Sequence, residues 1–513
     1  MMAVPFLDLA AQSTALRAEL EAAVQAVLAS GRYILGDQVA AFERTLADRC
    51  GGRFAVGVNS GTDALELALR ACGIGPGDEV LVPAFTFMAT ASAVTAAGAT
   101  PVMADIDEAS YGIDVDDAAR RVSAKTRAII PVHLYGQPCD VDGVLRLAGR
   151  HRLVVIEDCA QAIGAAYRGR QVGSFGQAGC FSFYPTKNLG AAGDGGAVVT
   201  SDPGIAERLS LLRHCGTRDK VRYEIFGRNS RLDELQAAIL LVKLKYLDGW
   251  NEARRVRAGW YREAFAQEGV EGVGLPQELP ERRHVYNAFV VRVTERDRVR
   301  GELASRGIET MVYYARPLHL DSFYEGRAAK RGDLPRAEQA AREALALPMY
   351  PELGREAISS VVRALKSATG TAAPSLQTRD RFSFSPSLGH GEKGKWSRDN
   401  RIVLSLVERG WAAARACSLD AQRQGMCTVH LVKGRLSRAV HTMITPTPHV
   451  HVVSVSRSVF WPAAWALCGW LALTGRLRSV WVDNERSMRR VRQWVPRARI
   501  RPVLVREGGA LPA

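Results

Sequence analysis

Three short segments carry residue types that could do chemistry together. Phe181-Ser182-Phe183-Tyr184-Pro185-Thr186-Lys187-Asn188-Leu189-Gly190 sets one lysine just past an apolar segment, in an aromatic and glycine-rich loop that continues to Gly193-Asp194-Gly195-Gly196. A lysine withdrawn from water has a lowered pKa and can attack a carbonyl as a free amine, forming a Schiff base. Leu153-Val154-Val155-Ile156 leads into Glu157-Asp158-Cys159-Ala160-Gln161, which puts two carboxylates at the C-terminal end of an apolar strand. A buried acid there needs a cation or hydrogen-bond donors. Asn59-Ser60-Gly61-Thr62-Asp63-Ala64-Leu65 sits between a strand and a helix, so its small residues leave N–H groups open at a helix N-terminus, where phosphate binds well. Each segment also has an ordinary structural reading: a solvated loop lysine, a helix cap by Asp158, and a cap by Ser60, Thr62 or Asp63.

The elements around these segments decide whether they can meet. Strands are expected at Ala55 to Val58, Glu79 to Pro83, Thr100 to Ala104, Ala128 to His133, Val154 to Glu157, Ala178 to Ser182 and Gly196 to Thr200. Helical stretches fall between most of them, at Asp63 to Cys72, Thr90 to Ala97 and Val141 to His151, after an N-terminal helix from about Ala15 to Ala29. Short strands that are apolar throughout and separated by helices predict an α/β fold, a mostly parallel sheet covered on both faces with ligand loops at the strand ends. A long helical run, Leu232 to Ala266, reads as a connecting helix. Strand Ala288 to Val293 and helices Asp297 to Arg306 and Glu338 to Leu345 then suggest a smaller α+β domain. The expected organisation is a large domain over 1–250, a small domain over 251–366, a Ser-, Gly- and Pro-rich linker over 367–400, and a further small α/β module over 401–513.

A phosphate cradle, a carboxylate and a lysine, each at a strand end, are together the set that pyridoxal 5'-phosphate requires. The phosphate anchors the cofactor, the aldehyde joins Lys187, and Asp158 keeps the pyridine nitrogen protonated. No G-x-G-x-x-G or G-x-x-x-x-G-K-[ST] occurs at the cradle, which sets aside dinucleotide and P-loop readings.

These motifs, with Gly75-Pro76-Gly77-Asp78-Glu79-Val80 between them and Asn229-Ser230-Arg231-Leu232-Asp233-Glu234-Leu235-Gln236-Ala237-Ala238 after them, resemble the DegT/StrS family. That family comprises nucleotide-sugar aminotransferases of the aspartate-aminotransferase fold, and the likeness runs in order from Pro5 to about Leu365. The resemblance implies that Lys187 binds the cofactor aldehyde, Asp158 pairs with the ring nitrogen and Gln161 approaches the ring hydroxyl. Gly61, Thr62 and Ser182 would hold the phosphate, and Phe87 would stack on the ring. Asn229 would reach the phosphate in a partner subunit, which makes the active unit a homodimer with a shared site. Tyr313 and His319 are expected on the substrate side.

By the same resemblance, glutamate is the expected amino donor and a keto nucleotide-sugar the acceptor. The Gly193-Asp194-Gly195-Gly196 loop is similar to the branch acting at carbon 3, with carbon 4 as the alternative. The chain departs from the family where Asn287 follows Tyr286 and where Met311-Val312-Tyr313-Tyr314 carries tyrosine, since histidine is frequent at both places.

The chain of 513 residues has a formal net charge of +15. Residues 1–370 hold 45 basic and 45 acidic side chains, whereas 371–513 hold 23 and 8, so the whole excess lies in the tail. Net charge therefore says nothing about the motifs above. The tail faintly resembles the first unit of two-domain glycosyltransferases, and a competing reading makes the front an inert scaffold with this tail as the working module. No RNA-type motif or heptad marks the tail, and nucleic acid is not an expected partner. His449 and His451 share a strand face with no third ligand near, and nine scattered cysteines form no metal-spaced cluster, so no metal is expected. Ser458 to Gly475 is uncharged but short for a membrane span, and reads as a buried or interface helix. No secretory leader is visible at Met1 to Leu20, and the expected location is the cytoplasm.

Overall fold

The computed structural model describes residues 3–325 and 329–370, together with the backbone of 479–482 and 501–504. Two compact units divide the chain, 1–379 and 380–513. In the first, strands β1 (Phe54–Val58), β2 (Glu79–Pro83), β3 (Thr100–Ala104), β4 (Thr126–Ile129), β5 (Val154–Asp158), β8 (Ala178–Ser182) and β9 (Gly196–Thr200) form one sheet in the order β1-β9-β8-β5-β4-β2-β3. The short strands β6 (Ala166–Tyr167) and β7 (Arg170–Gln171) pair beside it with β11 (Arg282–Arg283).

Pairing is parallel from β8 through β5, β4 and β2 to β3, and β9 alone runs antiparallel to both its neighbours. The lysine loop explains that reversal. Residues 183–195 turn back directly from the end of β8 into β9, with no crossover helix to restore the strand direction.

Alternation along the strands buries both faces. Val80 and Val82 of β2 pack with helices Gly61–Ala71, Met88–Ala96 and Pro203–Arg213, while Leu81 between them packs on the opposite face with helix Val141–His151. Helices Asp37–Cys50 and Glu234–Leu244 cover the β1, β8 and β9 end through Phe42, Leu46, Phe181 and Val199.

A second core surrounds an antiparallel sheet of β10 (Val273–Gly274), β12 (Phe289–Val293) and β13 (Ala344–Leu347), packed against helices Leu247–Glu268, Arg296–Ser305 and Arg355–Gly370. Two expectations are corrected here. The run from Leu232 to Ala266 is two helices, interrupted after Leu244. The expected helix Glu338 to Leu345 ends at Glu343, because Ala344–Leu347 is a fully buried strand pairing with β12, and an apolar run that short has no periodicity to separate helix from strand.

In the second unit, β14 (Ser479–Val482) and β15 (Arg501–Leu504) pair in parallel with Ser479 opposite Arg501. The expected linker beyond Gly370, the uncharged segment Ser458 to Gly475, His449, His451 and the glycosyltransferase-like opening lie outside the described residues.

Candidate active site

The three motifs meet. The ends of β5 and β8 and the start of helix Gly61–Ala71 open onto one cavity of about 560 Å3, which Gly61, Thr62, Phe87, Asp158, Gln161, Ser182, Tyr313 and Lys187 all line. That volume is within the usual range of ligand sites.

Helix Gly61–Ala71 begins where Ser60 takes the cap position, its Oγ accepting from the Asp63 amide at 3.1 Å. Among the three capping candidates, Ser60 is the one in this role. The Gly61 and Thr62 amides stand in the first turn with no acceptor inside the helix. A Cβ on Gly61 would lie 2.6 Å from Cβ of Ser182, and one on Gly196 would lie 2.4 Å from the Ser60 carbonyl carbon. Only glycine therefore lets the helix start, the end of β8 and the start of β9 converge on this cradle.

Asp158 ends β5 and is buried, with Oδ2 accepting from the Thr90 hydroxyl at 2.9 Å and Oδ1 from the Ala160 amide at 3.1 Å. Burial pushes its carboxyl above the ordinary range, against these two donors and the nearby Lys187 charge. Burial also lowers the Lys187 ammonium to about 8, and the Asp158 charge partly opposes that shift. The lysine therefore yields a far larger share of free amine near neutral pH than an ordinary lysine, as a nucleophile or base requires, although the protonated form still predominates below about pH 8.

The lysine loop is pinned on both sides of the reactive residue. The Lys187 amide donates to the Tyr184 carbonyl at 2.8 Å, and the buried Lys243 Nζ donates to the Gly190 carbonyl at 2.8 Å.

Gln161 is oriented by two contacts. Its Oε1 accepts from the Tyr135 amide at 2.7 Å and its Nε2 donates to the Tyr314 hydroxyl at 3.1 Å. Burial and the Asp158 charge keep the Tyr314 phenol protonated. Phe87 immediately precedes helix Met88–Ala96, remains 56% exposed and leans on Tyr314 with ring centroids 5.9 Å apart.

Two expected residues are not on this cavity. His319 is fully buried with Nε2 3.2 Å from Glu338 Oε1, in a core pair away from the lining, which corrects its expected place on the substrate side. Asn229 is exposed beside the His214 bridge and does not line the cavity of its own chain. In the other direction, Thr90 and Tyr184 contribute to the site without having been singled out for it, and Asp194, Asn287 and Tyr314, noted above only for the branch or for departing from the family, line the cavity. Thr86, just before the cap of helix Met88–Ala96, and Thr90 in its first turn stand 3.2 Å apart between hydroxyls, and two threonines at that spacing were the readable signal for a polar group near the site.

His133, Glu157 and Cys159 also come within 4.8 Å of one another, a cluster that spacing along the chain did not reveal. Both Glu157 oxygens are already occupied, by the amides of Gly173, Phe175 and Gly176 and by His133, and His133 Nδ1 faces the Cys139 amide. These lone pairs hold the loop after β7 in place and leave none for a metal ion.

A phosphate cradle, a buried carboxylate and a depressed lysine around one cavity define a pyridoxal-phosphate-dependent enzyme of the α/β class. Comparison with known proteins agrees. The sequence pattern of the DegT/DnrJ/EryC1/StrS aminotransferase family matches residues 14–366. Over 363 residues the chain is 50% identical to the dTDP-3-amino-3,4,6-trideoxy-alpha-D-glucose transaminase of Streptomyces venezuelae, covering 71% of this chain and 95% of that one. It is 45% identical over 362 residues to the dTDP-3-amino-3,6-dideoxy-alpha-D-galactopyranose transaminase of Aneurinibacillus thermoaerophilus, covering 71% and 98%. The crystal structure of DesV from S. venezuelae superimposes with a TM-score of 0.70 at 48% identity, over 72% of this chain and all of that one. The chain belongs to the DegT/DnrJ/EryC1/StrS aminotransferase family, whose members are pyridoxal-phosphate-dependent transaminases.

Proposed function

We propose that this protein transfers an amino group from glutamate to a keto nucleotide-sugar at carbon 3, for amino-sugar, polysaccharide or glycoside biosynthesis. The observation that carries this reading is the placement of Lys187 and Asp158 on one ligand-sized cavity beside the Gly61-Thr62 cradle. Carbon 3 is favoured over carbon 4 by the two relatives above, both named for 3-amino sugars, and by Asp194 of the Gly-Asp-Gly-Gly loop lining the cavity.

Residues of the chain take the following parts. Gly61 and Thr62 offer amides, and Ser182 a hydroxyl, to the cofactor phosphate. Asp158 presents a buried anion to the ring nitrogen, and Phe87 an exposed aromatic face to the ring. When bound, the cofactor supplies a sink for the electron pair left as a proton leaves the donor's Cα. Lys187 moves that proton, and an amine with a pKa of about 8 can both take and return it near neutrality.

The described cavity lining contains one cation, Lys187, yet glutamate and a nucleoside diphosphate are both anionic. Further positive groups must come from elsewhere, which supports a homodimer with a shared site. Asn229 sits on an exposed segment that also bears Val221, Tyr223 and Phe226, an apolar group unusual for a free surface. The six described cysteines are all unpaired, in keeping with the expected cytoplasmic location.

The test is direct. Purified protein supplied with pyridoxal phosphate should show a visible absorbance band that glutamate bleaches. With a panel of 3-keto and 4-keto nucleotide-sugars it should then release 2-oxoglutarate fastest with a 3-keto member. A colourless protein, or turnover confined to 4-keto sugars, would overturn the reading in whole or in part.

A further inference from the structure

The residue after the reactive lysine belongs to a buried chain of amides. Asn188 is 3% exposed, and its Nδ2 donates to Asn251 Oδ1 at 2.7 Å and to the Val285 carbonyl at 3.0 Å. Asn251, 1% exposed, donates its own Nδ2 to the Ile163 carbonyl at 3.0 Å. Every acceptor in this run is fixed, because two of them are backbone carbonyls that can only accept. Asn188 must therefore point its Nδ2 toward them and its Oδ1 away.

That Oδ1 receives Asn287 Nδ2 at 3.0 Å. Asn287 lines the cavity, and its own Oδ1 has no partner among the described residues. Turning the Asn287 amide over would set two oxygens against each other and break the run.

We infer that Asn287 is the cavity's fixed, uncharged hydrogen-bond acceptor for a hydroxyl on the substrate sugar. An oxygen held in this way receives a hydroxyl proton and repels a carboxylate, which favours the sugar half of the reaction over the binding of glutamate. Asn287 and Lys187 line the same cavity, so the acceptor and the amine are offered to one bound substrate. This inference rests on the nucleotide-sugar reading above and adds the group that the site recognises.

The experiment uses the full chain loaded with pyridoxal phosphate, as wild type, Asn287→Ala and Asn287→His. The probes are dTDP-3-amino-3,6-dideoxygalactose and its 2-deoxy and 4-deoxy counterparts. Equilibrium binding of each probe is measured by calorimetry, and the bleaching rate with glutamate is followed separately. Asn287→Ala should weaken binding of the full sugar about tenfold or more while slowing bleaching by glutamate no more than about twofold. The penalty should vanish for whichever deoxy probe lacks the hydroxyl that is read. A neutral histidine retains one N–H donor for Asn188 and one nitrogen acceptor, so Asn287→His should recover most of the binding.

Normal glutamate bleaching by Asn287→Ala would also show that the variant folds and holds Lys187 in place. Equal loss in both measurements, or no loss with any sugar, would overturn the inference. A wild type that binds none of the probes yet bleaches with glutamate would overturn the nucleotide-sugar reading along with it.

Discussion

Glu157 and Asp158 are consecutive on β5, both carboxylates and both buried, yet the two faces of that strand use them in opposite ways. On one face Glu157 accepts four hydrogen bonds, three from backbone amides and one from His133. Burial alone would raise its carboxyl, but these donors hold it below the ordinary range. On the other face Asp158 has two donors, and burial wins, leaving its carboxyl raised. A carboxylate whose lone pairs are all taken by its own fold is structural. One left short of donors on a cavity wall is waiting for a ligand's positive end.

The sharpest way to break this comparison is to remove the group that faces Asp158 across the site. Lys187→Ala should abolish the visible band and reduce transamination at least about a thousandfold, measured as 2-oxoglutarate release. Next, Asp158→Asn should lower turnover about a hundredfold. The same change should leave the melting temperature of the cofactor-free protein unchanged or higher at neutral pH. A carboxyl whose folded pKa is raised costs stability once it ionises, so its loss removes a penalty.

Glu157→Gln should do the reverse. An amide has one oxygen where the carboxylate served four donors, so unfolding should become easier by about 3 kcal/mol in a denaturant titration. Because the Glu157 folded pKa is depressed, its stabilisation is present above the ordinary value of 4.5 and disappears as the pH falls through the lowered one. Wild type and variant should therefore converge in acid. A Glu157→Gln protein as stable as wild type at neutral pH would remove the distinction drawn between the two faces.

Two smaller effects refine it. Uptake of pyridoxal phosphate by the cofactor-free protein should accelerate as the pH rises through about 8 and then level off, because the Lys187 amine reacts only when unprotonated. Ser60→Ala should cost about 1 kcal/mol through the lost helix cap, with the cradle amides of Gly61 and Thr62 otherwise in place.

Much of the site was legible in the chain because its residues sit at strand ends, where local pattern is strong. Short, continuously apolar runs locate β5 and β8 and therefore place Asp158 at the end of one and Lys187 just past the other. What stayed hidden depended on partners far along the chain. Asn188 and Asn287 are 99 residues apart, and Thr90 and Asp158 are 68 apart, so no window along the sequence joins them. His319 illustrates the converse, since the family resemblance put it on the substrate side and only the packed core shows its ring paired with Glu338.

The chain's own order of residues determined the α/β pattern, the cradle glycine, the lysine and the acid, because periodicity, turn chemistry and side-chain type are local properties. Only the tertiary structure decided which of two adjacent carboxylates is spent on the fold, which direction the Asn287 amide must face and which histidine is core. Those outcomes depend on how many donors and acceptors surround each group in space, and that count exists only after distant segments have packed.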